Sequence, residues 1–190
     1  MVGAAFYFDG AVLSWFAGHQ SPRGTAFMRS VTRWGDWPSH VALGVMCAAL
    51  ANALQSRRWV IIFLSMIAAC AVAGSVNRVI KVGAGRSRPS VEVDAGWNGP
   101  RWSSKYHAFP SGHTAASVGF FAALCFARPR IGLCLLPVPL LIAVSRLYLR
   151  AHHLSDVVFA TFLGVGCAYF AWRLVSAKTE RWRGRGTQAA

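Results

Sequence analysis

Five apolar runs constrain this chain more tightly than anything else in its sequence: Pro38–Gln55, Trp59–Asn77, His113–Ala127, Ile131–Ser145 and Leu154–Trp172. A bilayer core is crossed by about 20 apolar residues of helix at a rise of about 1.5 Å each. Runs of this length, closed by Arg57-Arg58 and by Arg128-Pro129-Arg130, read as membrane spans joined by short basic turns. Apolar residues make up 55% of the chain and charged ones 14%, a balance too apolar for a typical soluble domain. The predicted fold is an all-α integral membrane protein, a helical bundle of about five transmembrane helices. Pro137 and Pro139 fall inside the fourth run, where neighbouring helices can satisfy the freed carbonyls. Gly164, Gly166 and Ala168 in the fifth run are small enough to admit a neighbouring helix.

Residues 1–37 read as two interfacial amphipathic helices, the first apolar stretch being too short to span and Ser21-Pro22 opening the second. Residues 1–175 then form one membrane-embedded domain, residues 78–112 an outward active-site loop, and residues 176–190 a basic cytoplasmic tail. The N-terminus lacks the pattern of a cleaved signal peptide, so the first span is expected to act as the targeting signal. Twenty Lys and Arg against six Asp and Glu give a net charge of +14. In a chain this apolar, that charge points to anionic headgroups or phosphorylated substrates and not to nucleic acid. The five cysteines sit singly inside apolar runs, so neither a disulfide framework nor a zinc site is expected. Alternation of five spans puts Arg57-Arg58, Arg128-Arg130 and the tail on one face, taken as cytoplasmic, and the 78–112 loop and the 146–156 turn on the other.

Three clusters therefore share the outward side. Ser145–Asp156 holds Arg146, His152, His153 and Asp156, charged or polar groups that are costly near lipid unless they have a function. Taken alone, it also reads as a boundary where Arg146 and Arg150 snorkel to headgroups. Lys81 and Arg88 lie seven residues apart, two helical turns, although Gly83, Gly85 and Pro89 loosen a helix there; a juxtamembrane basic patch is the plainer reading. Pro110-Ser111-Gly112-His113 opens an apolar helix, whose free N–H groups seat an anion, or it is an ordinary helix cap. Together the clusters gather Lys81, Arg88 and Arg146 as cations, Ser111 and Gly112 as donors, and His113 and His152 as acid and base candidates, with Asp156 able to orient one histidine. A multiply charged anion, a phosphate, is the simplest reason to converge so many cations.

Lys81-x6-Arg88-Pro89, Pro110-Ser111-Gly112-His113 and Ser145-Arg146-x5-His152-x3-Asp156 resemble the three-part signature of the type 2 phosphatidic acid phosphatase superfamily. The resemblance implies a metal-independent lipid phosphatase with no cofactor, hydrolysing a phosphate or diphosphate through a phosphohistidine. His152 would be the nucleophile, Asp156 would hold its other ring proton, and His113 would protonate the leaving oxygen and then activate water. Lys81, Arg88, Ser111, Gly112 and Arg146 would bind the phosphate oxygens. His153, Arg86 and Arg150 have no part in the signature. The family's substrates include phosphatidate, phosphatidylglycerophosphate, isoprenyl diphosphates and lipid A phosphates, and Ser90–Phe109, with Trp97 and Trp102, is expected to form the substrate-facing wall. A bacterial inner membrane with the site facing the periplasm or exterior is the expected location. Competing functions are a vanadate-dependent haloperoxidase, whose relatives are soluble, and a non-enzymatic anion-binding module or transporter, which has no use for the histidine pair.

Overall fold

The computed structural model describes residues 2–91 and 96–187, with side chains through Val175. Its elements in order are α1 (Val2–Gly18), α2 (Pro22–Arg33), α3 (Trp37–Ala53), α4 (Arg57–Ala84), a 3-10 turn (Ser104–Tyr106), α5 (Gly112–Ala127), α6 (Pro129–Leu135), α7 (Pro137–Tyr148) and α8 (Leu154–Thr187). No strand occurs among the described residues, which bears out the all-helical expectation; the one extended pairing there is an isolated bridge between Arg86 and Trp97. Among the described residues, three stretches are long and apolar enough to cross a membrane: Arg57–Ala84, Pro129–Tyr148 (α6 with α7) and Leu154–Val175. The other two apolar runs form α3 and α5, helices of 17 and 16 residues. The residues of the basic tail beyond Val175 and residues 92–95 of the substrate-facing wall lie outside this description, apart from the α8 backbone, which runs on to Thr187.

Helix α5 is the hub, packed against α4 and α8 and also touching α3, α6 and α7. Its sequence explains this position, because an apolar helix with no polar stripe has to be covered on all sides. Ala115, Ala116, Gly119, Phe120, Ala122 and Ala123 are all buried. Around Phe120 gather Ile62, Met66, Ala69 and Cys70 of α4 and Ala168 and Ala171 of α8. Gly164 is where α8 meets α5 most closely: a Cβ there would lie 2.9 Å from the Ala115 carbonyl oxygen and 2.9 Å from the Gly119 nitrogen, backbone atoms that cannot turn aside. Gly166, two residues on, faces open space. Gly164→Ala is therefore expected to lower stability by about 1–3 kcal/mol through overpacking, while Gly166→Ala keeps it or raises it by up to about 1 kcal/mol through helix propensity. Thermal unfolding of the two variants in detergent checks this, and equal melting temperatures would contradict the contact.

Two departures from expectation matter for the site. First, α4 does not end near Asn77 but continues to Ala84, so Arg78 and Lys81 belong to a helix and the loop begins at Gly85. Gly85 takes the left-handed conformation (φ 56°) that terminates a helix, and its N–H donates to the Lys81 carbonyl at 3.3 Å. A side chain at Gly85 would collide with the Gly99 carbonyl, so the loop closes directly over the helix end.

Second, α1 is not an amphipathic helix with its polar side in water. Tyr7, Phe8 and Trp15 are exposed, and the one charged residue of the helix, Asp9, is buried at 8% exposure. The helix packs on α7 and α8, with Val12 and Phe16 against Ala143, Leu147 and Val157. Helix α2 starts as expected, with Ser21 Oγ accepting from the Gly24 N–H at 3.1 Å and Pro22 in the first turn. The elbow between α1 and α2 is held to the end of α7 by Tyr148, whose hydroxyl accepts from the Ser21 N–H at 2.9 Å and whose carbonyl accepts from the Gln20 amide at 2.5 Å.

Candidate active site

Each cluster is delivered by a helix end. Lys81 comes from the last turn of α4, His113 from the first turn of α5, Arg146 from the last turn of α7, and Asp156 from the first turn of α8. His152 sits in the tight α7–α8 connection, where Arg150 adopts a left-handed conformation (φ 50°) and the Ala151 N–H returns to the Arg146 carbonyl at 3.0 Å. The Ser111 N–H donates to the Asp156 carbonyl at 3.1 Å, which fixes the start of α5 against the start of α8. These ends converge: Lys81 has Arg88, Arg146 and Asp156 as electrostatic neighbours, His113 has Arg146, Lys81 and Arg88, and His152 has Lys81 and Arg146. All the residues expected from sequence are thereby brought to one place.

The cations there lack carboxylate partners. Among the described residues, Lys81, Arg88 and Arg146 form no salt bridge, and the buried Nε atoms of Arg88 and Arg146 have no hydrogen-bond partner. Arg146 donates one bond, from Nη1 to the Thr32 hydroxyl of α2 at 2.6 Å. Ser111, fully buried, precedes α5 without capping it: its hydroxyl accepts from Thr114 Oγ1 at 3.0 Å, leaving its own hydrogen and the first helical N–H groups uncommitted. Gly112 lies beside the ends of two α4 side chains: a Cβ there would sit 3.4 Å from Asn77 Oδ1 and 3.5 Å from Lys81 Nζ, ordinary contact distances, so the start of α5 borders the lysine directly. Asn77, one turn before Lys81 on the same face of α4, carries no signal in the sequence; it is buried, and its Nδ2 has no partner.

His152 is fully enclosed. Its Nδ1 makes a 2.6 Å hydrogen bond with the Ala108 carbonyl, which can only accept, so Nδ1 carries the proton and Nε2 the free lone pair. The expectation from sequence gives this role to Asp156. The structure places Asp156 Oδ2 3.7 Å from Nδ1, and engages that oxygen with the His153 N–H at 2.7 Å and His153 Nδ1 at 3.2 Å. A carboxylate in the first turn of a helix that reaches back to the preceding N–H satisfies an otherwise orphaned donor, so the geometry of α8 itself draws Asp156 towards His153. Burial pulls the His152 ring well below its ordinary value, to about 3, against the raising effect of Asp156. The imidazole is thus neutral at any pH near 7, as a nitrogen nucleophile has to be.

His113 is half-buried against the α2–α3 corner, where a Cβ on Gly35 would touch its ring carbon at 3.2 Å. Its ring makes no hydrogen bond among the described residues. Arg86, which stands outside the signature, is buried and bridges two carboxylates, Asp156 Oδ1 at 2.5 Å and Asp9 Oδ2 at 2.8 Å. Trp97 packs over Arg86 and against Phe109, while Trp102 stands 82% exposed.

Comparisons with known proteins bear on the family and the fold. A lipid A 1-phosphatase of Rhizobium johnstonii is 30% identical over 102 residues, 52% of this chain, though the chain spans only 39% of that protein's length. The fold is similar to a transmembrane PAP2 type phosphatidylglycerolphosphate phosphatase from Bacillus subtilis, with a TM-score of 0.68 and 21% identity over 94% of this chain and 87% of that one. It is also similar to Aquifex aeolicus LpxE, with a TM-score of 0.62 and 15% identity over 87% of this chain and 95% of that one. The pattern of the PAP2 superfamily matches residues 58–180, a stretch that takes in Lys81, Arg88, Ser111, His113, Arg146, His152 and Asp156. With the signature read from its spacing, the residues converged by the fold and the family pattern spanning them, this membrane protein belongs to the PAP2 superfamily.

Proposed function

We propose that this chain is a lipid phosphatase that needs no metal ion and works through a phosphohistidine. The observation that carries the reading is the set of three cations, Lys81, Arg88 and Arg146, held without carboxylates beside a neutral, buried His152. Such a set is self-repelling unless a multiply charged anion completes it. The cations supply the positive charge that a metal would otherwise bring to phosphoryl transfer.

In this mechanism the phosphate oxygens lie against Lys81, Arg88, Arg146, the Ser111 hydroxyl and the N–H groups at the start of α5, with Asn77 Nδ2 as one more neutral donor. His152 Nε2 attacks phosphorus, and the bond to the leaving oxygen breaks as His113 gives that oxygen its proton. The ring of His152 becomes cationic on phosphorylation, and Asp156 at 3.7 Å and the Ala108 carbonyl at 2.6 Å stabilise it. His113, now a base, removes a proton from water; the hydroxide attacks phosphorus, the N–P bond breaks, and inorganic phosphate leaves.

The relatives' own substrates favour a glycerophospholipid or lipid A headgroup phosphate over a soluble ester, with phosphatidate and isoprenyl diphosphates in the same class. The site faces the periplasm or exterior of a bacterial inner membrane in this reading, opposite Arg57-Arg58 and Arg128-Arg130. Purified protein in detergent, with EDTA present, is expected to release phosphate from at least one member of a panel of lipid phosphates and diphosphates. Release from none of them, or release that EDTA abolishes and magnesium restores, would overturn the proposal.

A further inference from the structure

The signature leaves Arg86 and Asp9 without a part, yet they form the most fully bonded charged cluster among the described residues. Arg86 Nη1 donates to Asp156 Oδ1 at 2.5 Å and to Ser155 Oγ at 2.7 Å, and Nη2 donates to Asp9 Oδ2 at 2.8 Å. Phe6 of α1 and Trp97 of the loop lie against the guanidinium at 5.3 and 5.1 Å. Asp9 in turn accepts from the Ser155 N–H at 2.8 Å and from the Ser155 hydroxyl at 2.6 Å. That N–H belongs to the first turn of α8, so Asp9 caps from α1 the helix whose own capping carboxylate is Asp156.

Asp156 presents a difficulty that this cluster solves. It is the only fully buried carboxylate at the site among the described residues, and Lys81 and Arg88 are both within its electrostatic reach. A carboxylate so placed, with an oxygen free, would draw one of those cations into a salt bridge and out of the phosphate cradle. Arg86 already occupies Oδ1 and His153 already engages Oδ2, so both oxygens are committed. Arg86 and Arg88 leave the same short loop two residues apart, and Asp9, together with the Phe6 and Trp97 rings against the Arg86 guanidinium, decides which of them goes to the carboxylates.

We propose that Asp9 and Arg86 are positioning residues of the active site: Arg86 occupies Asp156 so that Lys81 and Arg88 stay available to substrate phosphate, and Asp9 holds Arg86 in that place. Helix α1 lies wholly outside residues 58–180, the stretch matched by the family pattern, and on this inference it completes the catalytic centre. The inference rests on the phosphatase reading.

The test compares Arg86→Gln, Arg86→Lys, Asp9→Asn and Phe16→Ala in detergent, each quantified as the monodisperse fraction from size exclusion. Phe16 joins α1 to α7 and α8 through apolar contacts alone, so Phe16→Ala loosens the docking without touching the charges. Arg86→Gln is expected to raise KM and lower kcat, each by tenfold or more, because Asp156 recruits cradle cations. Arg86→Lys, which keeps the charge but cannot fork between two carboxylates, and Asp9→Asn are expected to lower kcat/KM at least tenfold. Phe16→Ala is expected to lower the melting temperature and leave kcat and KM within twofold. If Asp9→Asn or Arg86→Lys keeps kcat/KM within twofold of wild type, or Phe16→Ala loses as much as Asp9→Asn, the pair serves only to dock α1 and the inference fails. Inactive wild-type protein would count against the phosphatase reading instead. The inference is then read from the thermal shift caused by orthovanadate, expected in wild type and Phe16→Ala and lost in Arg86→Gln; an equal shift in all three overturns it.

Discussion

Replacing His152 with alanine is expected to remove at least about 10³-fold of kcat, because a covalent route loses its only nucleophile and the cradle alone supplies the residual rate. KM is expected to stay within a few-fold, since Lys81, Arg88, Arg146 and the start of α5 keep their places. The fold is expected to survive, although the ring is enclosed: His152 hangs in a connection held by backbone bonds of Ala151 and Arg150, and alanine creates a small cavity without breaking a helix. His152→Gln is the sharper version, because it refills the volume and an amide N–H can still donate to the Ala108 carbonyl. Rapid quench with labelled lipid phosphate supplies the second measurement. Wild-type protein is expected to carry label in an acid-labile, base-stable form, and neither variant should. Full turnover in His152→Gln, or label that persists in it, would remove His152 from the mechanism.

His152 and the cations around it are legible in the sequence because each cluster is short, local and set at a helix end. Spacing alone says that Lys81 and Arg88 can meet, and that Ser111-Gly112 precedes a helix. What escapes is every partner supplied from far along the chain. Arg86 reaches Asp9 across 77 residues and Asp9 reaches Ser155 across 146, separations at which no periodicity connects two residues. The Ala108 carbonyl is invisible for another reason: it is backbone, and any residue at that position would supply it. Asp9 misleads for a physical reason as well. One acid among aromatic residues suggests a polar edge in water, but in a chain that exposes its apolar residues to lipid, the polar residue points inward.

The same logic explains the misplaced end of α4. Arg78 and Lys81 read as the start of a loop because charge usually ends a span. In this fold the last two turns of the helix carry the buried Asn77 and Lys81, and the termination signal that counts is Gly85, where a left-handed residue is required. Lys81 therefore stands on a helix with a buried helical neighbour, Asn77, a turn below it, so that its backbone is held where a loop-borne lysine's would not be. On the proposed mechanism that difference is preorganisation, since a cation already in place costs no rearrangement in the transition state.

His113→Ala is expected to lose about 10²–10⁴-fold in kcat with lipid phosphates, the usual worth of a positioned acid and base, and far less of its first step with p-nitrophenyl phosphate. The asymmetry follows from the leaving group. A lipid alkoxide is strongly basic and needs its proton as the P–O bond breaks, whereas p-nitrophenolate departs without one. The second step has no such escape, because water still has to be deprotonated before it attacks the phosphohistidine. With p-nitrophenyl phosphate the variant should therefore release one equivalent of p-nitrophenol per active site in a burst and then turn over slowly, with phosphoenzyme accumulating. With a lipid phosphate it should show no burst. His113 opens α5 next to Ser111 and Gly112 with Arg146, Lys81 and Arg88 as neighbours, so the phosphate that neutralises those cations is also what lets its ring hold the proton it donates. Stopped-flow measurement of p-nitrophenol beside steady-state phosphate release separates the two steps. Equal losses for both kinds of ester, with no burst, would show that His113 binds substrate and moves no proton. The burst, in turn, has to vanish in the double variant His113→Ala/His152→Ala, since the equivalent it counts is the phosphate held on His152.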